Sequence, residues 1–125
     1  MIYGIGTDIV LINRIKNTAA FAKKILSSQE YILWKDYSPA KQKIFLAKQF
    51  ACKEALVKAL GTGFRNDVFP KDIEILRDDL GKPYINSEGS LKKIFSDLEI
   101  TASHVSIADE TDYVVAFAII EKWIN

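Results

Sequence analysis

The sequence predicts an α+β fold in which a mostly antiparallel sheet packs against helices, one of them long and basic. Three observations carry this reading. The opening "MIYGIGTDIV" is strand-like, the closing "HVSIADETDYVVAFAII" contains two strands joined through a polar turn, and Pro39 to Leu60 holds a helical period throughout.

Taken in order, Ile2 to Ile9 alternate loosely around Gly4 and Gly6, as in a strand whose glycines let a backbone or ligand come close, with Asp8 at its end. Leu11 to Leu26 has helical spacing and reads as two short helices broken near Asn17 and Thr18. Ser27-Ser28-Gln29-Glu30 has the spacing of a capping box before Tyr31 to Trp34. Ser38-Pro39 supplies a cap and a first-turn proline. From there Phe45, Gln49, Cys52, Leu56 and Leu60 share a stripe down to Gly61, while Lys41, Lys43, Lys48, Lys53 and Lys58 surround Glu54, the helix's one acid. "GTGFRNDVFP" is a glycine-punctuated loop, and Ile73 to Leu76 and Lys82 to Ile85 flank "DDLG" as a hairpin. Ser87 to Leu98 forms a helix burying Leu91, Ile94, Phe95 and Leu98, before the two strands around "DETD".

The 125 residues suit one domain, expected to span 1–125, and 49% hydrophobic with 26% charged residues belongs to a globular chain. Its longest apolar run, Tyr113 to Ile120, is far below the ~20 residues that cross a bilayer, and the start lacks a basic leader, so neither membrane nor export is expected. One Cys and one His argue against disulfides and structural zinc, and a reducing cytoplasm fits. Up to Arg65 there are 11 Lys and Arg against 4 Asp and Glu, a balance of +7; beyond it there are 6 against 12, a balance of −6. Such halves either meet as solvated surfaces or offer the basic half to an anionic ligand or acidic partner.

Asp8 on a strand and Glu54 on the basic helix suggest a magnesium site. The ion prefers oxygen and is usually held by one or two carboxylates, with phosphates and waters completing its octahedron. Lys58, four residues after Glu54, would then neutralise phosphate oxygens. The plainer alternative is an exposed Glu54–Lys58 ion pair worth about 0.3–0.5 kcal/mol.

"GIGTDIVLINRI", "FACKEALVKALGTG", "DIEILRDDLGKPYI" and "HVSIAD" followed by "YVVAFAIIE", in this order from Met1 to about Glu121, resemble the holo-[acyl-carrier-protein] synthases, the small bacterial class of 4'-phosphopantetheinyl transferases. The resemblance implies a fatty acid biosynthesis enzyme that transfers phosphopantetheine from coenzyme A to a serine of an apo acyl carrier protein, releasing adenosine 3',5'-bisphosphate. It implies Asp8, Glu54 and Lys58 as the catalytic set and Asp8 and Glu54 as the magnesium ligands. Glu54 would assist deprotonation of the serine, directly or through a metal-bound water, although a water or the carrier's own acid could serve. Lys58 would bind pyrophosphate, and Lys53 would help hold phosphates or pair with an acid. Gly61, Thr62 and Gly63 would lie close to the nucleotide, with Gly61 also able to cap the helix, and His104 would border the coenzyme A site. Arg14, Phe21 and Lys24 would face the acidic carrier protein. A homotrimer is implied, each site shared between neighbours, with Asp8 from one subunit and the Glu54 helix from the other.

Three departures from the family pattern stand out. Gln49 replaces a common arginine and Val57 a small polar residue, which predicts fewer or shifted coenzyme A contacts, and Ala108-Asp109 follows "HVSI" where a hydroxyl residue and a second histidine are frequent. The basic half also admits two other function classes: a non-catalytic domain binding a nucleotide or acidic protein partner, and a nucleic-acid binder. The last is disfavoured because the helix lysines cluster around an acid rather than along an extended surface with base-stacking groups.

Overall fold

The computed structural model of the chain describes residues 1–63 and 68–123; the "FRND" part of the expected loop lies outside them. The elements are β1 (Ile2–Leu11), α1 (Ala19–Ile25), α2 (Ser28–Asp36), α3 (Pro39–Leu60), β2 (Ile75–Arg77), β3 (Pro83–Ile85), α4 (Lys92–Asp97), β4 (Ile100–Asp109) and β5 (Tyr113–Lys122), with short 3-10 turns at Ile12–Arg14 and Pro70–Asp72. The main sheet has the order β1-β5-β4, antiparallel throughout, and β2 with β3 forms a separate antiparallel hairpin. The α+β expectation is met.

Local chemistry explains most boundaries. Thr18 accepts from the Phe21 amide to start α1. Ser27 and Glu30 form the expected reciprocal capping box on α2, and Ser38 accepts from the Lys41 amide ahead of Pro39. Gly61 ends α3 in the left-handed region, φ 77°, where a side chain would be strained. Three expectations are adjusted. β1 runs past Ile9 to Leu11 because β5 keeps pairing with it, so Asp8 sits inside the strand, opposite Ala116. The first of the two short helices is a single 3-10 turn. The Ser87–Leu98 helix is confined to Lys92–Asp97, with Leu91 and Phe95 buried and Ile94 and Leu98 half-buried.

α3 lies across one face of the sheet, against β1 and β5. Val114, Ala116, Ala118 and Ile120 of β5 are fully buried beneath it, and small residues on the helix keep the layers close: Ala51, Ala55 and Ala59. The closest approach is at β1. A Cβ on Gly4 would lie 1.9 Å from the Ala59 carbonyl oxygen, and one on Gly6 1.9 Å from that of Ala55. Two strand residues advance about 6.7 Å and four helix residues about 6 Å, so the contact repeats in step, and the glycines admitted a backbone. The next helix-facing residue of β1 is Asp8.

The other face of the sheet is open. Ile5, Ile9, Tyr113, Val115 and Phe117 all point outward and are 41–63% exposed. Gly6→Ala must push α3 away from β1, since the new atom would meet backbone rather than a movable side chain. We expect a loss of about 1–3 kcal/mol in urea unfolding, with no such loss for alanine at Gly89, where a Cβ makes only an ordinary contact.

Candidate active site

The glycine seam decides where the acids go. Asp8, on the helix face of β1, meets the C-terminal half of α3: Lys58 Nζ lies 3.1 Å from Asp8 Oδ1 and donates to the Thr7 carbonyl at 3.0 Å. Glu54, one turn before Lys58 and half-buried, feels both groups. Burial pushes its carboxyl above the usual carboxylate range, the Asp8 charge pushes it further, and Lys58 opposes them. Asp8, Glu54 and Lys58 therefore converge within one chain. This corrects the expectation that Asp8 and the Glu54 helix come from different subunits, because the β1–α3 contact is intramolecular. The plain Glu54–Lys58 pair also gives way: the lysine's hydrogen bonds go to β1. With Lys58 about half exposed and Asp8 17% exposed, that ion pair is worth roughly 0–1 kcal/mol, weak enough to yield to a ligand.

Two carboxylates with a nearby ammonium make a hard, oxygen-only donor set. Among the described residues no three acids, histidines or cysteines are grouped so as to hold a metal ion. A divalent ion held here would keep positions open for phosphate and water, the arrangement magnesium favours.

Lys53 goes elsewhere. Its side chain is fully buried, with Nζ 2.5 Å from Glu30 Oε1 and 2.6 Å from the Ile25 carbonyl oxygen. The phosphate-holding alternative is withdrawn: the ammonium has no route to a ligand on the Glu54 face, and it pairs with an acid instead. Burial pulls it below the usual lysine value, with Glu30 as the main opposing influence. Gln49 and Val57 also point inward. Gln49 donates to Glu30 Oε2 at 2.6 Å and to the Ile75 carbonyl at 3.1 Å, and Val57 is buried, so these departures alter the interior rather than an outward coenzyme A face. Asp109 pairs with Lys48 of α3 at 3.3 Å.

Gly61 is exposed with open space around it, and Thr62 Oγ1 donates to the Gly63 carbonyl at 2.9 Å, which leaves the backbone of this turn approachable. His104 opposes Ile119 on the open face of the sheet and lies 3.4 Å from Glu121, so within one chain it does not join the acids. Arg14 ends the 3-10 turn after β1, and Arg14 and Lys24 are exposed. Phe21 touches Phe50, ring centroids 6.2 Å apart, and Phe50 lies one turn before Glu54. That contact was not anticipated from the sequence, although Phe50 and Glu54 share a helical face. Burial pushes the Cys52 thiol up to about 12, which makes it a packing residue rather than a nucleophile. A cavity of about 690 Å³ lies beside α2 near Lys23, Tyr31, Lys71 and Glu74, and another of about 490 Å³ lies between α2, α3 and the β2–β3 hairpin; neither includes the acids, which occupy an open seam. The chemistry is placed by the charges, and cavity size is no guide to it.

Residues 4–118 match the family model of the 4'-phosphopantetheinyl transferase superfamily. The chain belongs to this superfamily. Among its transferase relatives, a holo-[acyl-carrier-protein] synthase of Nitrosospira multiformis is 44% identical over 128 residues, covering 98% of this chain and 100% of that one. The solved holo-[acyl-carrier-protein] synthase of Neisseria meningitidis superposes with a TM-score of 0.90 at 42% identity, over 98% of this chain and 100% of that one. That of Bacillus anthracis, solved in complex with CoA (3',5'-ADP), gives 0.84 at 35% identity, over 98% and 99%. Superfamily membership thus rests on nearly the whole fold, seam included.

The raised Glu54 carboxyl has a measurable consequence for the transferase. Its folded state binds that proton more tightly than the unfolded chain does, so ionised Glu54 costs stability once pH exceeds the raised value, and the cost disappears as pH falls below the ordinary carboxylate range. In chelator, Glu54→Gln should unfold at higher urea than the parent at about pH 7.5, and the two curves should converge below about pH 4.

Proposed function

We propose that the chain transfers the 4'-phosphopantetheine arm of coenzyme A to a serine hydroxyl of an apo acyl carrier protein, providing holo carrier protein for fatty acid biosynthesis. The observation that carries this reading is the meeting of Asp8, Glu54 and Lys58 in one chain whose length and fold match holo-[acyl-carrier-protein] synthases. In the reaction, the serine oxygen forms a bond to the β-phosphorus of coenzyme A. The diphosphate P–O bond breaks, and adenosine 3',5'-bisphosphate leaves with the electron pair.

Asp8 and Glu54 would hold magnesium, which when bound neutralises the diphosphate and makes its phosphorus more electrophilic. Lys58, its stem half exposed, exchanges Asp8 for a phosphate oxygen and stabilises charge growing on the leaving group. Glu54, directly or through a metal-bound water, would accept the serine proton. The Gly61–Gly63 turn lets a nucleotide approach the backbone.

The carrier protein docks on the basic side of the seam. Phe21 rests on Phe50, so α1 lies beside the turn that carries Glu54, and Arg14 and Lys24 stand out from the same region. An acidic carrier would be drawn there by charge and fixed by the Phe21 ring, with association slowed as salt screens the lysines and arginine. The open face of the sheet, with Ile5, Ile9, Val115 and Phe117 outward, supports assembly into a homotrimer, which would bring His104 of one subunit towards a coenzyme A site on another. No helix among the described residues is long and apolar enough to cross a membrane, and we place the reaction in the cytoplasm, with soluble substrates.

Incubation with apo carrier, coenzyme A and magnesium should add the mass of phosphopantetheine to the carrier. Glu54→Gln should lose at least about 100-fold in kcat/KM while remaining folded, and retained turnover would refute its role. Arg14→Ala should raise the carrier KM, leave the coenzyme A KM alone and flatten the salt dependence. Carrier binding without any mass gain would favour the non-catalytic reading. Phe117→Glu should convert a trimer to monomers in sedimentation equilibrium; a parent that already sediments as a monomer would rule the assembly out.

A further inference from the structure

Glu30 has all of its acceptor positions in use. Oε1 accepts from the Ser27 amide at 2.8 Å and from Lys53 at 2.5 Å, and Oε2 accepts from Gln49 at 2.6 Å and from the Ile75 amide at 2.8 Å. Four parts of the chain meet on this one carboxylate: the start of α2, two successive turns of α3, and β2. Lys53 adds a fifth. Its second hydrogen bond goes to the carbonyl of Ile25, the last residue of α1.

This arrangement is more specific than a core needs. A buried ion pair is often replaceable by apolar side chains at little cost to stability, so its presence calls for a geometric reason. Lys53 immediately precedes Glu54. Its ammonium grips the end of α1, and Phe21 near the start of α1 touches Phe50, one turn before Glu54. α1 is thus fixed to the Glu54 segment of α3 at both ends, by an aromatic contact at one and a charge-assisted hydrogen bond at the other. We propose that Glu30 and Lys53 are positioning residues that hold α1, and with it the carrier-protein surface, at a set angle to Glu54. The inference rests on the carrier-docking reading given above.

Lys53→Met keeps the length of the side chain and removes the bond to Ile25. With enzyme concentrations corrected for the folded fraction, the carrier KM should rise about tenfold or more, while the coenzyme A KM stays within about twofold. Amide hydrogen exchange should quicken in residues 19–25 and stay unchanged in 54–60. A residue that only supported the fold would lower the active fraction and leave both KM values alone, and that result, or unaltered exchange in α1, overturns the proposal. Should Lys53→Met fail to fold, Lys53→Met combined with Glu30→Gln removes the uncompensated buried charge and permits the same measurements. A parent enzyme that leaves the carrier unmodified would refute the transferase reading, while the exchange comparison would still decide whether Lys53 holds α1.

Discussion

The site depends on a strand and a helix touching backbone to backbone. Gly4 and Gly6 lie where any side chain would collide with the carbonyls of Ala59 and Ala55, so the distance between β1 and α3 is set by main-chain atoms. Main-chain contacts vary less than side-chain ones, since no rotamer can give way. Asp8 inherits that precision. It stands one stride beyond Gly6 and reaches Lys58 at 3.1 Å without any long flexible arm of its own.

α3 uses two lysines in opposite ways. Lys53 is turned inward, fully buried and bound to Glu30 and a helix-end carbonyl. Lys58 is turned outward, half exposed and loosely paired. Burial makes the first pair costly to break, on the order of 3–5 kcal/mol when one partner is removed, and exposure makes the second easy to exchange. The same chemical group serves as anchor in one turn and as exchangeable counter-charge a turn later. The acid between them, Glu54, owes its raised affinity for protons to burial first and to the Asp8 charge second, with Lys58 opposing both.

Much of the architecture was legible in the sequence because it is written locally. The Ser27–Glu30 capping box, the Ser38-Pro39 start, the Gly61 stop and the turn around Gly81 each depend on residues a few positions apart. What the sequence hid was tertiary. The sequence leaves Lys53 open between a phosphate and an acid because its partner Glu30 is 23 residues away on another helix. The resemblance ties Gln49 and Val57 to coenzyme A contacts, yet α3 is covered around most of its circumference, which blurs the single apolar stripe on which a helical reading relies. The placing of Asp8 and Glu54 on different subunits comes from the family resemblance alone, since nothing in their spacing reveals how a strand registers on a helix. For the open face of β5, the alternation of Val114, Ala116 and Ala118 with Val115 and Phe117 marked two sides without saying what covers the second.

β1 has a single neighbour in the sheet, and that neighbour is β5. Thr7 bonds to Ala116 across 109 residues of chain. During synthesis, then, the first strand emerges long before the one that secures it, and its row of isoleucines lacks that partner until β5 has been made. Partial chains cannot assemble the acidic seam, and they carry a sticky, unpaired edge meanwhile. A nascent polypeptide of this kind is prone to aggregate, and products truncated before β5 should collect in the insoluble fraction rather than compete for substrate.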